Sequence, residues 1–336
     1  MGRRLLLVAV AALVASLVPA CSGGGERLVV YSGRSEDLIG PLLQRFVDET
    51  DIKIDVKYAD SADLALLIES EGERSPADVF ISQSPGAIGY LDGKDKLAEL
   101  PSEVLDRVDE DFRAVDGRWV GLSGRVRVLV YNAEDVAESE LPDSILDLTG
   151  PEYQGRVAVA PTNGSFIDFV TAMRQQLGDD EARAWLEAMA DNDSPTFANN
   201  NAIVQAVARG EVEMGLVNHY YNARAEAEDP GIDSENHYFP AEGDLGSLLI
   251  TTGASTLATA DKAEEAGRLI EFFLSEESQR FFADETFEYP LIEGVEPAGG
   301  IPALADLTVT RVDLDELGDG LRGTQALIDS SGIGDG

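Results

Sequence analysis

Short apolar runs alternate along the first part of the chain with longer stretches in which apolar residues recur every three or four positions. The runs predict buried strands, and the longer stretches predict helices with one apolar face. In chain order these elements are a strand at 28–31, a helix at 35–50, a strand at 54–58, a helix at 62–71 and a strand at 77–81. Alternation of this kind predicts an α/β fold with parallel strands.

The same alternation continues after a long β-rich segment at residues 119–132. The later predicted elements are a strand at 157–160, helices at 165–176, 181–190 and 199–208, a strand at 214–217, a β-rich segment at 248–254, and helices at 260–274, 277–283 and 321–329. We interpret the two β-rich segments as strands that cross between two lobes. The predicted lobes are residues 27–126 with 254–300 and residues 127–253 with 301–336, and a ligand cleft lies between them.

Polar residues follow four of the predicted strands. They are Arg34, Gln83, the run Asn163-Gly164-Ser165, and the pair Tyr220-Tyr221. Open α/β sheets bind ligands beyond the carboxyl ends of their strands, and each of these groups stands at such an end. Their convergence predicts one site between the lobes.

Tyr220 and Tyr221 are adjacent phenols at the point where a strand gives way to a helix. Neighbouring side chains of a regular strand point to opposite faces, so both phenols can reach one ligand only if the chain turns there. Phenolate oxygen is a hard anionic donor, which is the type that hard cations prefer. We hypothesise that the two tyrosines bind ferric iron. The alternative is that the two rings pack in a core or on a surface.

Two predicted helix starts, at Asn163-Gly164-Ser165 and at Asn200, suit an anion because they present free N–H groups and a partial positive charge. Ordinary N-capping is the alternative at both. A ferric ion bound by two phenolates retains positive charge, so a small anion such as phosphate or carbonate would complete its charge and coordination.

Three arginines, Arg34, Arg125 and Arg127, are the basic groups best placed for an anion or for contacts in the cleft. Ion pairing with the many acidic residues is the alternative. His219 and His237 are the only histidines, and their spacing matches no usual zinc pattern. The chain also lacks a Walker A motif and the common nucleophile motifs, so an enzyme is not predicted.

The first 21 residues have the layout of a secretory signal. Arg3 and Arg4 precede an apolar run at 5–18 that is short for a membrane span. Cys21, the only cysteine, follows in a sequence that resembles a lipobox, with Pro19 as an unusual occupant. We expect Cys21 to be lipidated, residues 22–26 to form a flexible tether, and the protein to lie at the outer face of a membrane. Plain secretion and a buried thiol are the alternatives.

The chain is strongly acidic, with a formal net charge of −38. Removal of residues 1–20 takes away two arginines and no acids, so 23 basic and 63 acidic residues leave −40. This charge argues against a nucleic-acid partner, whose phosphates require basic residues. The acids are scattered, which favours an adaptation to salt over a field that attracts cations.

Together these segments resemble the iron(III)-binding substrate-binding proteins of ABC importers, which have the type II two-lobe periplasmic binding protein fold. The resemblance covers nearly all of residues 28–330. It rests on Val-Tyr-Ser-Gly at 30–33, Ser-Pro-Ala-Asp-Val-Phe at 75–80, Leu-Ser-Gly-Arg at 122–125, Pro-Thr-Asn-Gly-Ser-Phe at 161–166, Val-Asn-His-Tyr-Tyr at 217–221 and Glu-Tyr-Pro-Leu at 288–291.

The resemblance implies roles for individual residues. Tyr220 and Tyr221 match the paired ligands of the iron, and Arg34 matches an arginine that some members use near the anion. The matched anion-holding positions are Asn163, Gly164, Ser165, Asn200 and Asn218. Ser35 stands where many members have a ligand histidine, and Gln83 stands where some have a ligand glutamate. These two are further candidates for metal or cleft contacts, and iron binding would then depend more on the anion, on water or on a chelator.

The function implied by the resemblance is that of a monomeric, lipid-anchored binding protein outside the cytoplasm. It would bind Fe(3+) with carbonate or phosphate, close about a hinge at 126–132 and 248–254, and deliver the iron to a membrane permease with a separate ATPase. One alternative keeps the fold and the transport role but changes the cargo to an iron chelate, a phosphonate, thiamine or a polyamine. The others are an enzyme on the same scaffold and a surface lipoprotein that only binds partner proteins.

Overall fold

The structure is a computed structural model that describes residues 27–83, 85–312 and 314–334, without the side chains of 314–319 and 321–322. The predicted signal, Cys21 and the predicted tether lie outside these residues. Within the described ranges, no helix has both the length and the apolar character needed to cross a membrane.

Strands and helices alternate as the sequence predicts. The strands are β1 Leu28–Ser32, β2 Ile54–Tyr58, β3 Val79–Ser82, β4 Val120–Tyr131, β5 Val157–Ala158, β6 Met214–Asn218, β7 Glu235–His237, β8 Leu249–Thr256 and β9 Tyr289–Pro290. The helices are α1 Glu36–Thr50, α2 Ser61–Glu71, α3 Pro85–Asp92, α4 Ser102–Leu105, α5 Gly164–Leu177, α6 Asp179–Asp191, α7 Asn200–Ala208, α8 His219–Glu228, α9 Ala263–Phe273, α10 Glu276–Asp284 and α11 Leu314–Ser330. Each predicted strand and helix is confirmed, with bounds that differ by a few residues except at α11.

Three helices differ from the sequence prediction, and one of them is the four-residue α4, which was not predicted. α3 was not predicted, because its eight residues carry no polar face: Pro85, Gly86, Ala87, Ile88, Gly89 and Leu91 are all buried, and its two glycines lower its helix propensity. α11 begins at Leu314, not at 321 as predicted. Glycines near its start have a poor helix propensity, so the sequence predicts a later start than the structure shows.

The strands form one curled sheet in the order β2-β1-β3-β8-β4-β6-β5, and β7 and β9 also pair with β4. The parallel pairing that the sequence predicts is confirmed for β1 with β2, β1 with β3 and β5 with β6. Every pair that includes β4 or β8 is antiparallel, among the strands described. The strands in the two β-rich segments therefore run antiparallel to their neighbours, whereas the strand–helix–strand units contain parallel pairs.

The two halves of β4 pair with different parts of this sheet. Its pairing with β8 ends at Val126, opposite Leu249, and its pairing with β6 begins at Arg127, opposite Asn218. We call the part of the sheet that contains β1, β2, β3, β8 and β9 the first sheet, and the part that contains β5, β6 and β7 the second sheet. The amide of Arg127 donates to the carbonyl of Leu248 at 2.9 Å, so the chain returns to the first sheet beside the same point of β4.

The strand β8 pairs with β3 and β4 over its whole length. Residues 249–253 thus pair with residues 121–126 of β4, which the predicted division assigns to the first lobe, whereas it assigns residues 249–253 to the second. The exact division of the chain into lobes stays a prediction.

Aromatic residues fill the core on both sides of the crossing. The first sheet packs against α1 and α9, where the rings of Phe46 and Phe272 lie 5.5 Å apart. In the second half, Phe169 of α5 and Trp185 of α6 make an edge contact at 5.5 Å. Of the helices that carry predicted site residues, α5 shares this core cluster with β6, and α7 shares another cluster with β5 and β6.

We predict that Gly215 of β6 is required for the close approach of α7. A Cβ atom at this position would lie 2.2 Å from the Cγ2 atom of Ile203. Gly215→Ala should therefore lower the free energy of unfolding by about 1–3 kcal/mol through overpacking. Urea denaturation measures this change.

The matched control is Gly267→Ala in α9. A Cβ atom there meets nothing within 4 Å among the described residues. This substitution should leave stability unchanged or raise it by up to ~1 kcal/mol, because alanine favours the helix. Equal stability of the Gly215→Ala variant and the parent would contradict the proposed packing.

Candidate functional site

The two tyrosines lie on the first turn of α8, directly after β6. β6 ends at Asn218, whose backbone is extended, and the helix begins at His219. Because the chain turns from strand to helix there, the rings of Tyr220 and Tyr221 lie side by side with centroids 4.1 Å apart and planes inclined by 30°. Tyr220 is buried and Tyr221 is half-buried. The adjacent phenols can therefore face one ligand.

The environment of Tyr220 keeps its phenol protonated in the absence of a cation. Burial raises the pKa of Tyr220 well above its usual range, and the neighbouring Tyr221 and Glu288 raise it further, whereas the charge of Arg125 lowers it. A cation that binds this oxygen must displace the proton. A strongly charged metal ion is the type of ligand that makes such a displacement favourable.

Arg125 and Arg127 extend from β4 beneath the site, and both are buried. Arg125 donates to the carbonyl of Gln83 and, at 3.3 Å, to the carbonyl of Thr251. Its hydrogen bond to Gln83 joins the end of β3 to the strand that crosses between the sheets. Arg125 thus contacts Gln83 directly, and its charge also lowers the pKa of Tyr220.

Arg127 lies between the tyrosines and the first turn of α5. Its guanidinium lies 4.9 Å from the ring centre of Phe169 and donates to the carbonyl of Ser165 at 3.4 Å. Burial lowers the pKa of Arg127 to about 9, while Asp168 and Tyr221 oppose that shift. Arg127 therefore stays a cation at neutral pH, and aromatic faces supply part of its stabilisation.

Arg34 forms a buried ion pair with Glu288. Its Nη2 donates to Glu288 Oε2 at 2.8 Å and its Nη1 donates to Oε1 at 3.1 Å and to Thr252 Oγ1 at 2.8 Å. Burial alone would raise the pKa of Glu288, but the charge and hydrogen bonds of Arg34 hold it below its usual range. Both terminal nitrogens of Arg34 thus take part in an ion pair, which was the alternative to an anion contact. Its Nε has no hydrogen-bond partner in the part of the chain that the structure describes.

The predicted anion-holding residues form a connected polar cluster. Asn163 Oδ1 accepts from the Ser165 amide at 3.1 Å and from Ser165 Oγ at 2.7 Å, and Asn200 Nδ2 donates to Ser165 Oγ at 3.2 Å. Asn163 is thus the N-cap of α5, and Gly164 is the first residue of that helix. At α7 the cap is Asn199, whose Oδ1 accepts from the Ala202 amide at 2.9 Å. Asn200, which the sequence predicts at the start of this helix, is its first residue.

Asn218 has an unusual environment at the end of β6. Its side chain is fully buried, and neither its Oδ1 nor its Nδ2 has a hydrogen-bond partner among the residues described. Asn200 Oδ1 shares this property. Buried polar atoms are nearly always hydrogen-bonded, so these three atoms indicate a polar ligand or water beside the tyrosine turn.

Ser35 and Gln83 differ in their surroundings. Ser35 is exposed at the N-cap position of α1, and its side chain makes no capping bond there. Gln83 is half-buried, its amide donates to Ser61 Oγ at 2.9 Å, and its Oε1 has no partner within the described ranges. Gln83 therefore offers a free acceptor at the edge of the site, and Ser35 offers a solvent-facing hydroxyl.

His219 and Glu288 are two site residues to which the sequence analysis gave no role. The ring of His219 is fully buried, its Nδ1 accepts from the Val126 amide at 3.2 Å, and burial lowers its pKa to about 4. It is therefore neutral at pH 7. Both residues belong to motifs that carry the family resemblance, at 217–221 and 288–291, and these motifs are the signal that could identify them.

The donor set excludes the common transition-metal centres in the described part of the chain. No group of three or more histidine, cysteine, aspartate and glutamate side chains is placed to hold a metal ion there. A cavity of about 520 Å³ lies away from the tyrosines, between α1 and β2. A metal at the tyrosine turn would depend on phenolate oxygens and on donors supplied by a second ligand.

Comparison with known proteins finds relatives that cover most of the chain. The family model described as "Bacterial extracellular solute-binding protein" matches residues 74–318. The "Major ferric iron-binding protein" of Neisseria meningitidis serogroup A is 30% identical over 320 residues, with 94% of this chain and 96% of that protein covered. The "Fe(3+)-binding periplasmic protein" of Serratia marcescens is 29% identical over 296 residues, with 87% of each chain covered.

Solved structures show the same two-lobed arrangement. Iron-bound HitA from Pseudomonas aeruginosa superposes with a TM-score of 0.86 at 31% identity and covers 91% of this chain and 99% of its own. The Trichodesmium protein IdiA (FutA) in complex with iron and citrate ligands gives a TM-score of 0.80 at 25% identity, with 92% and 100% covered. The chain belongs to the family of bacterial extracellular solute-binding proteins.

Proposed function

We propose that this protein binds ferric iron through Tyr220 and Tyr221, holds a small anion beside the metal, and delivers the iron to the membrane permease of an ABC importer. The observation that carries this proposal is the contact between the two phenol rings, 4.1 Å apart on one helical turn. Two relatives that align over most of this chain are named as ferric iron-binding proteins. No chemical step is proposed, because a carrier only has to capture and release its cargo.

Charge explains why an anion is part of the proposal. A ferric ion with two phenolate ligands keeps one positive charge. Arg125 and Arg127 lie buried close to the two phenols and add further positive charge. An oxyanion such as carbonate or phosphate reduces this excess. The unpartnered Nδ2 atom of Asn218 would donate a hydrogen bond to it.

Closure of the protein would take place where β4 changes partners. The anion-holding residues and the tyrosines follow strands of the second sheet, whereas Arg34 and Gln83 follow strands of the first. A rotation at residues 126–127 and 248–249 would bring the two sets together around the metal. The closed form would then dock on the permease, and a separate subunit would hydrolyse ATP.

A second cargo, an iron chelate, is favoured by the nature of Ser35 and Gln83. Neither side chain supplies an anionic or imidazole donor, so the protein offers few metal ligands besides the phenols. A polycarboxylate carried with the metal would fill the remaining coordination positions and would suit the buried arginines. This alternative retains the fold, the tyrosines and the transport role.

We predict that ferric iron added with carbonate or phosphate gives a visible phenolate-to-iron charge-transfer band in the wild-type protein. Tyr221→Phe and Tyr220→Phe should each abolish most of this band, because each removes one oxygen donor. Absorption spectroscopy during an iron titration measures the effect.

The matched control is Tyr131→Phe. This tyrosine lies on β4, and its hydroxyl donates to Glu235 at 2.8 Å, so its loss should leave the band unchanged. A band of wild-type intensity in Tyr221→Phe, or a wild-type protein that stays colourless, would contradict iron binding by the pair.

We predict that removal of the Asn218 side-chain amide weakens iron binding but does not lower the stability of the iron-free protein. Asn218→Leu removes polar atoms that lack partners, so the iron-free protein should be unchanged or more stable, by up to ~1 kcal/mol. The same change should weaken anion-dependent iron binding at least about tenfold, because hydrogen bonds to a charged group are lost. Urea unfolding and competition with a chelator, with and without carbonate, measure the two effects.

Asn222→Leu on α8 serves as the comparison. Asn222 exchanges two hydrogen bonds with Ser234, at 3.1 and 2.6 Å, so this variant should lose about 1–3 kcal/mol of stability. If Asn218→Leu lost as much stability as Asn222→Leu and kept its iron affinity, the anion assignment would be wrong.

We propose further that the protein is anchored outside the cytoplasm by a lipid on Cys21. The relative from Serratia marcescens is named as periplasmic. We predict that the wild-type protein fractionates with membranes and that Cys21→Ser moves it to the soluble fraction without changing iron binding. Immunoblots of the two fractions test this, and equal distribution of both forms would exclude the anchor.

A further inference from the structure

His219 lies where β4 passes from one sheet to the other. Val126 is the last residue of β4 that pairs with β8, and Arg127 is the first that pairs with β6. At this junction the amide of Val126 donates to the imidazole Nδ1 of His219 at 3.2 Å. The His219 side chain therefore accepts the hydrogen bond of the Val126 amide, where β4 changes partners. A buried N–H group requires such a partner.

The backbone of His219 is held to the second sheet. The residue follows Asn218 of β6, and its carbonyl accepts from Asn236 Nδ2 at 2.9 Å. Asn236 lies on β7, which pairs with β4 beyond the junction, at Val130. The main chain of His219 will thus move with the second sheet.

The ring of His219 contacts the first sheet. It lies against the ring of Tyr289, with centroids 4.6 Å apart and planes inclined by 33°. Tyr289 belongs to β9 and pairs with Gly124, on the side of β4 before the junction. The ring is fully buried, so it cannot change its position without displacing one of these neighbours.

We propose that His219 is a positioning residue that couples the tyrosine pair to the rotation of the two halves of the molecule. The proposal rests on the proposed function, because the coupled residues are the suggested iron ligands. His219 directly precedes Tyr220 on the first turn of α8. A rotation about residues 126–127 changes the distance between the main chain of His219 and the Val126 amide. The hydrogen bond from the Val126 amide transmits this change to the turn that carries the phenols, and the contact with Tyr289 holds the acceptor in place.

The imidazole combines two properties that substitutions can separate. Phenylalanine keeps an aromatic ring against Tyr289 but offers no acceptor to Val126. Asparagine carries an acceptor about as far from its Cα as Nδ1 is in histidine, but it lacks the ring. His219→Phe and His219→Asn therefore test the hydrogen bond and the ring contact independently.

Two measurements distinguish coupling from a general effect on the fold. Amide hydrogen exchange in peptides that cover Val126 reports on the hydrogen bond in the iron-free protein. The rate at which iron leaves for an excess of chelator, followed by the visible band, reports on the coupling. We expect His219→Phe to keep the visible band, since both phenols remain. Its Val126 amide hydrogen should exchange about tenfold faster than in the wild type, and iron should leave about tenfold faster. His219→Asn should restore most of the slow exchange and slow release.

The matched control is the other histidine. His237 lies on β7, and its Nε2 contacts the carbonyl of Pro142 at 2.8 Å, away from the junction. His237→Phe should release iron at the wild-type rate even if it lowers stability.

Wild-type exchange and release rates in His219→Phe would overturn the proposal. So would equally fast release from His219→Phe, His219→Asn and His237→Phe, since that pattern reports only a weakened fold. A colourless wild-type protein would overturn the proposed function instead, and the exchange rates would still decide whether His219 holds the Val126 amide.

Discussion

One strand shared by two sheets constrains the whole molecule. β4 is buried along all twelve of its residues and changes hydrogen-bond partners between Val126 and Arg127. In the proposed closure the two halves rotate about this point, and they cannot separate without breaking strand pairing on one side. The ends of β3, β5 and β6 bring polar residues toward this crossing, where a ligand can contact both halves. The position of the proposed site thus follows from strand topology.

Buried charge is the second constraint, and it determines what the site can accept. The chain is strongly acidic, yet Arg34, Arg125 and Arg127 are buried near the crossing. Of the buried carboxylates, Glu288 pairs with Arg34, and Asp168 acts on Arg127. Three cations thus face two carboxylates, while the phenol of Tyr220 holds its proton. A trivalent cation that ionises both phenols adds one more positive charge, which explains why an anion accompanies the metal in the proposed function.

The strand and helix pattern could be predicted from sequence because local apolar periodicity determines it. The tyrosine turn was predicted because the apolar run that ends at Val217 leads directly into it. Contacts between distant residues could not be predicted in this way. Arg34 and Glu288 are 254 positions apart, and Val126 and His219 are 93 positions apart. The pairing of Arg34, the role of Glu288 and the hinge contact of His219 depend on tertiary packing, which no local pattern of one sequence contains. The apolar α3 lacked the polar face by which a surface helix is recognised.

The most direct test of the central claim is an anomalous diffraction map, recorded at the iron absorption edge from crystals grown with ferric iron and carbonate. We predict one iron peak within bonding distance of the phenolic oxygens of both Tyr220 and Tyr221, with an anion beside Asn218 and Ser165. An iron peak elsewhere, or one that contacts neither phenol, would contradict the account.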